Sequence, residues 1–176
     1  MSGSRSGTGR PTGRRASSIT VEIVDKQRLL RVDRGWLRRV VADALAAADV
    51  AEAEIGLMLL DDAGIAELHE RWLALPGPTD VITFDLSDGG PPGAMRGDIA
   101  VSVETARRMA RELGWQPKHE LAYYVVHGLL HLAGEDDHEP ADRRRMRARE
   151  QTLMAAAGLP RPPSSGRRGR PQRGAR

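Results

Sequence analysis

Two histidines four residues apart, His127 and His131, are the side chains of this chain best placed to do chemistry. On an α-helix that spacing stacks both imidazoles on one face, one turn apart, able to grip a single ion. Gly134 follows three residues later, where a helix can end in a left-handed residue at little steric cost. The chain can then fold back and offer a third ligand from Glu135, Asp136, Asp137 or His138. Three protein ligands with a fourth position left open is the arrangement of catalytic rather than structural zinc. The apolar flanks 121–126 and 129–132 predict that the pair is buried, and buried histidines need partners. Zinc peptidases carry a glutamate directly after the first histidine as general base; here that position is Gly128, which cannot take a proton.

The helix and turn must be held by something, and the composition bounds what that is. The chain has 176 residues and no cysteine, so one domain is expected and any metal must use imidazole and carboxylate. No apolar run reaches membrane-spanning length and the arginine-bearing start has no apolar signal segment, which predicts a cytoplasmic protein with no membrane partner. The formal charge of +3 is unevenly spread. Residues 1–18 and 161–176 hold ten arginines and no acid; without them, 17 Lys and Arg face 24 Asp and Glu, a net −7. Both ends are rich in Gly, Ser, Pro and Arg and are expected to be disordered basic tails around a folded domain at 19–160. Such tails suit salt-dependent contact with a phosphate backbone, or serve solubility alone.

Within the domain, residues 19–24 alternate apolar and polar and predict an opening strand. Asp33 can cap a helix running to Ala48; residues 55–60 form a second strand, and Asp61 or Asp62 caps a second helix through Trp72. Pro76-Gly77-Pro78 breaks it. Residues 79–86 form a third strand, 88–95 a Gly/Pro-rich excursion, and 97–103 a fourth strand leading into a helix at 104–113 that stops at Gly114. Pro117 opens the metal-bearing helix and Pro140 a last, charged one. The order predicts an α+β fold, a small mixed sheet of about four strands with helices packed on it and the metal site on a central helix and the turn after it. Met146 and Met154 are read as core, Trp36, Trp72 and Trp115 as packing, and His69 and His119 as surface histidines.

The segment His127-Gly-Leu-Leu-His-Leu-Ala-Gly134 resembles the signature of the YbeY-type endoribonucleases, whose motif continues into a Tyr-Asp-His turn. Pro78-Thr-Asp-Val-Ile-Thr-Phe84 and Gly97-Asp-Ile-Ala-Val-Ser-Val-Glu-Thr-Ala106 are similar to two further blocks of that family, in the same order. The resemblance implies a zinc-dependent endoribonuclease directed at single strands. It would act in maturing the 3′ end of small-subunit rRNA and in ribosome quality control, with the small ribosomal subunit as partner and one zinc per chain. His127 and His131 would then be catalytic through a zinc-activated water. Two departures stand out. The family's third ligand is a histidine; a gapless match puts Asp137 there, with His138 one residue on. One of these two is the expected third ligand, and Asp137 is favoured because a one-residue slip in a tight turn re-aims the side chain. The family arginine that is thought to hold RNA phosphate falls on Leu73, and its asparagine on His69. Arg96 and the tails are the available substitutes for RNA contact.

Overall fold

The computed structural model describes residues 18–88 and 93–163. Among the described residues nine elements follow in the expected order: β1 (Ser18–Asp25), α1 (Arg34–Ala47), β2 (Glu52–Leu60), α2 (Asp62–Leu73), β3 (Val81–Asp85), β4 (Ala94–Ser102), α3 (Val103–Glu112), α4 (Pro117–Leu132) and α5 (Pro140–Ala156). The fold is α+β, and the sheet order is β1-β2-β4-β3. β1 and β4 run parallel to β2, and β3 runs antiparallel to β4 as an outer strand. The ends 1–18 and 161–176 lie outside the described residues, apart from Ser18, which starts β1, and 161–163.

The local signals act as their chemistry requires. Asp33 accepts from the Trp36 N–H and Asp61 from the Gly64 N–H, each satisfying an otherwise orphaned donor at a helix start. Pro117 and Pro140 occupy first helical positions, where the missing N–H is not needed. Strand bounds differ from expectation: β3 runs only over Val81–Asp85 rather than 79–86. β2 starts at Glu52 and β4 at Ala94, three residues earlier than the alternation suggested, because the two strands pair in register from Glu52↔Ala94 onward. Ladder pairing there outweighs the weak strand propensity of Glu and Gly.

Strand alternation divides the sheet into two unequal faces. Ile55, Leu57, Leu59, Ile99 and Val101 point to one side and join side chains of α1, α3, α4 and α5 in the main core, Met146 and Met154 of α5 among them. On the other side, Ile65 of α2 packs with Leu60, Ile82 and Ala100 in a small second core. Trp36 and Trp115 pack against the main core as expected. Trp72 does not: its side of α2 faces water.

α4 approaches the sheet closely because it presents glycine where it touches and meets glycine in return. A Cβ on Gly128 would lie 2.8 Å from Ile99 Cγ2 and 3.2 Å from Thr83 Cγ2. A Cβ on Gly97 would lie 2.6 Å from Leu132 Cδ2 and 2.7 Å from the Phe84 carbonyl oxygen. Position 128 therefore points into the sheet, away from the surface an incoming substrate could reach.

Candidate metal centre

His127 and His131 sit on the last two turns of α4, on the side next to its sheet-facing stripe of Gly128 and Leu132. Their rings meet edge to face at 4.6 Å, and the two Nε2 atoms are 3.0 Å apart. The helix ends in a Schellman arrangement: the Gly134 N–H donates to the His131 carbonyl and the Glu135 N–H to the Leu130 carbonyl, with Gly134 at φ +83°. That turn aims the chain back across the histidines. Asp136 then accepts from the N–H groups of Asp137 and His138, tightening the next bend.

The outcome is that His127, His131 and Asp137 each bring a ligand atom to within 4.8 Å of the others. The two candidates for third ligand separate cleanly. Asp137 is buried among the histidines. His138 is exposed, grouped with Asp136 and Asp137 on the solvent side, its ring 3.5 Å from Asp136. The carboxyl of Asp137 has a buried Oδ1 with no hydrogen-bond partner among the described residues. An unsatisfied buried carboxylate oxygen is costly, and beside two imidazoles a cation is the partner that would satisfy it. The donor set thus fits a metal ion.

The rings are held from behind. His127 Nδ1 lies 2.7 Å from Oε1 of Glu150, a buried carboxylate on α5, whose Oε2 accepts from the Tyr123 hydroxyl at 2.9 Å. His131 Nδ1 donates to the Glu135 carbonyl oxygen at 3.0 Å. A carbonyl can only accept, so this nitrogen carries the hydrogen and leaves the Nε2 lone pair free toward the centre. Carboxylate or carbonyl support behind a ligating imidazole fixes its tautomer and raises its basicity. Burial pulls the His127 pKa down, but the hydrogen bond and charge of Glu150, with Asp80 and Asp137 beyond, outweigh it and raise the value above ordinary histidine. Burial, then the neighbouring His127, push His131 below it. α5 also secures the ligand turn, because Arg143 donates to the carbonyls of Asp137 and His138 and Arg149 pairs with Glu135.

Glu150 is the residue that sequence reasoning passed over. It sits in a helix crowded with arginine and reads there as one more surface charge. The signal was its spacing: Met146, Glu150, Leu153 and Met154 form one buried stripe, and a carboxylate on such a stripe needs a buried partner.

The other site residues fall elsewhere. Arg96 is not brought to the metal centre. It alternates with Gly97, which faces α4, so it points from the opposite face of the sheet, where it pairs with Glu54 at 2.7 Å. Glu22 and Asp98 line the same groove of about 440 Å³, an acidic setting. Leu73 packs against the second core. His69 uses Nδ1 on the Gly77 carbonyl at 2.9 Å and so ties down the loop after α2. His119 has a buried Nδ1 without a partner among the described residues, and burial lowers its pKa.

A four-stranded α+β layer thus carries, at the end of its central helix and in the turn after it, two back-supported histidines and a buried carboxylate, a donor set that could hold a metal ion. Comparison with known proteins then gives the family. The family model described as Endoribonuclease YbeY matches residues 18–158. The chain is 44% identical over 133 residues to the Endoribonuclease YbeY of Moorella thermoacetica, covering 70% of this chain and 85% of that protein. It is 40% identical over 152 residues to that of Roseiflexus castenholzii, covering 81% and 94%. The chain belongs to the endoribonuclease YbeY family. Its fold is similar to the solution structure of TM1509 from Thermotoga maritima, with a TM-score of 0.53 at 20% identity, covering 85% of this chain and all of that one. Among the described residues no helix is long and apolar enough to cross a membrane.

Proposed function

We propose that the protein is a zinc-dependent endoribonuclease that cleaves single-stranded RNA, acting in the cytoplasm on the 3′ end of small-subunit rRNA and in ribosome quality control. The observation that carries this reading is that His127, His131 and Asp137, whose buried Oδ1 has no partner among the described residues, bring ligand atoms within 4.8 Å of one another in a chain of the endoribonuclease YbeY family. His127, His131 and Asp137 would hold the ion; two imidazoles and one carboxylate suit zinc, with a fourth position left for water or substrate. A divalent ion there supplies Lewis acidity to a phosphodiester oxygen and lowers the pKa of water. The protein's own groups do the rest. Glu150 and the Glu135 carbonyl orient the two rings, and Glu150 keeps the His127 imidazole electron-rich. The arginines of 1–18 and 161–176 add cations to an otherwise acidic chain and raise its affinity for a polyanion.

The structure also speaks to the competing peptidase reading. A glutamate at position 128 could not serve as base, since that position faces Ile99 and Thr83. Peptide hydrolysis by the zinc-peptidase route uses a glutamate directly after the first histidine to deliver a proton to the leaving amine, and Gly128 stands there instead. The test incubates the purified protein, its His131→Ala variant and a chelator-treated sample with a small-subunit rRNA 3′ fragment and with unfolded casein. Cleavage of RNA by the untreated parent alone is expected. Cleavage of casein without RNA cleavage would overturn the assignment.

A further inference from the structure

Among the described residues the sheet face away from α4 is covered by α2, and at the end of α2 an aromatic side chain is left in water. Trp72 is 58% exposed. Its ring stands edge-on to Phe84 at 5.8 Å and 72°, and the Arg71 guanidinium lies 5.9 Å from its centroid. Leu86, two residues after Phe84, is 53% exposed. Burying an indole would gain more than any other single side chain could, so an exposed one held in place by a second ring is a surface with a use. Arg71 has no acidic partner among the described residues; it rests loosely over the ring and can turn to a phosphate.

The placement relative to the metal centre gives that use a direction. Phe84 belongs to β3, the outer strand of the sheet. Its neighbour Thr83 touches the Gly128 position of α4, and the Phe84 carbonyl lies where Gly97 makes room for Leu132, one residue after His131. The aromatic pair and the metal centre are therefore on the two faces of one edge strand. A flexible chain leaving Trp72 reaches the histidines by passing round that single strand. The alternative course, across the open face, runs over Glu22, Glu54 and Asp98, three carboxylates against the single cation of Arg96, a balance that repels a polyanion.

We propose that Trp72 and Arg71 form a stacking station for single-stranded RNA, with a base on the indole and a phosphate on the guanidinium, from which the strand rounds β3 to the metal centre. The proposal rests on the endoribonuclease reading and adds the contact that selects single strands, since a base inside a duplex has no free face to offer. Stacking of this kind tolerates any base.

The test uses the full chain with metal removed by chelation, so that binding is measured without cleavage. A fluorescently labelled single-stranded oligoribonucleotide and a blunt duplex of equal length are titrated against the parent, Trp72→Ala, Trp72→Phe and Arg71→Gln. Loss of one stacked base weakens binding about 5- to 150-fold, and that is expected for Trp72→Ala on the single strand alone. Trp72→Phe should keep most of the affinity. Arg71→Gln should lower the salt slope of binding by about 0.7, the share of one phosphate on a single strand. The melting temperature of Trp72→Ala should stay near that of the parent, which separates lost contact from lost fold. Single-strand affinity of Trp72→Ala within about twofold of the parent, or an equal loss on the duplex, overturns the station. If the parent cleaves RNA in that case, the endoribonuclease reading stands without it. If the parent neither binds nor cleaves RNA, both fall.

Discussion

Replacing Glu150 should weaken metal binding without removing a ligand. With a divalent ion bound, the buried charges of Asp137 and Glu150 balance it, and Glu150→Gln leaves the centre with one uncompensated positive charge. The glutamine carbonyl can still accept from His127 Nδ1 at the position now occupied at 2.7 Å, so ring geometry is kept and the loss is electronic. Removing such a support typically lowers affinity by about 10- to 100-fold. Retained geometry puts Glu150→Gln near the lower end. Glu150→Ala strands the buried His127 Nδ1–H and should fall near the upper end. Leaving that buried donor unpaired also costs about 1–3 kcal/mol in stability, so the metal-free Glu150→Ala protein should melt several degrees below the parent. Competition with a chromophoric chelator measures the affinities, and calorimetry of the metal-free proteins measures stability. If Glu150→Gln binds zinc as tightly as the parent while Glu150→Ala loses only stability, Glu150 is a packing ion pair and the electronic argument is wrong.

Three further outcomes are expected. Asp137→Ala should lower zinc affinity by at least about 100-fold while His138→Ala leaves it nearly unchanged, in the same competition assay; the reverse order would move the third ligand to the histidine. Gly128→Ala forces a methyl to within 2.8 Å of the fully buried Ile99 and should destabilise the fold by about 1–3 kcal/mol in denaturant titration, with metal stoichiometry retained. Asp62 is partly buried, which raises its pKa, but hydrogen bonds from Ser102, Thr105 and Arg108 outweigh this and hold the folded value below the ordinary 3.8. Its contribution is therefore present above 3.8 and lost as pH falls through the lower folded value; the stability gap between the parent and Asp62→Asn, open at pH 7, should close on acidification.

Much of this could be read from the chain because local chemistry dictated it. Asp33, Asp61, Pro117 and Gly134 mark helix ends by satisfying or sparing particular backbone groups, and the four-residue spacing of His127 and His131 has one geometric meaning on a helix. What stayed hidden depended on contacts between elements far apart in sequence. Glu150 is 23 residues from the imidazole it supports and gains its meaning only when α5 docks on α4. Gly128 reads as the absence of a base, whereas its role is to let a helix lie close to β4, which no local pattern reveals. Trp72 reads as packing because tryptophan usually is, yet it lies on the side of α2 that faces water. Arg96 sits next to a motif in sequence, yet strand alternation turns it to the opposite face from Gly97.

The position of α5 in chain order has a temporal consequence. Both histidines and Asp137 are synthesised before the helix that orients them, and the carboxylate behind His127 arrives on the last element of the described fold. A growing chain thus holds the ligand residues for a time without the support that tunes them and without the Arg143 and Arg149 anchors that set the ligand turn. On the proposed metal reading, acquisition of a well-ordered centre would be tied to completion of the domain, and a chain truncated before Glu150 would have the signature motif without the carboxylate behind His127.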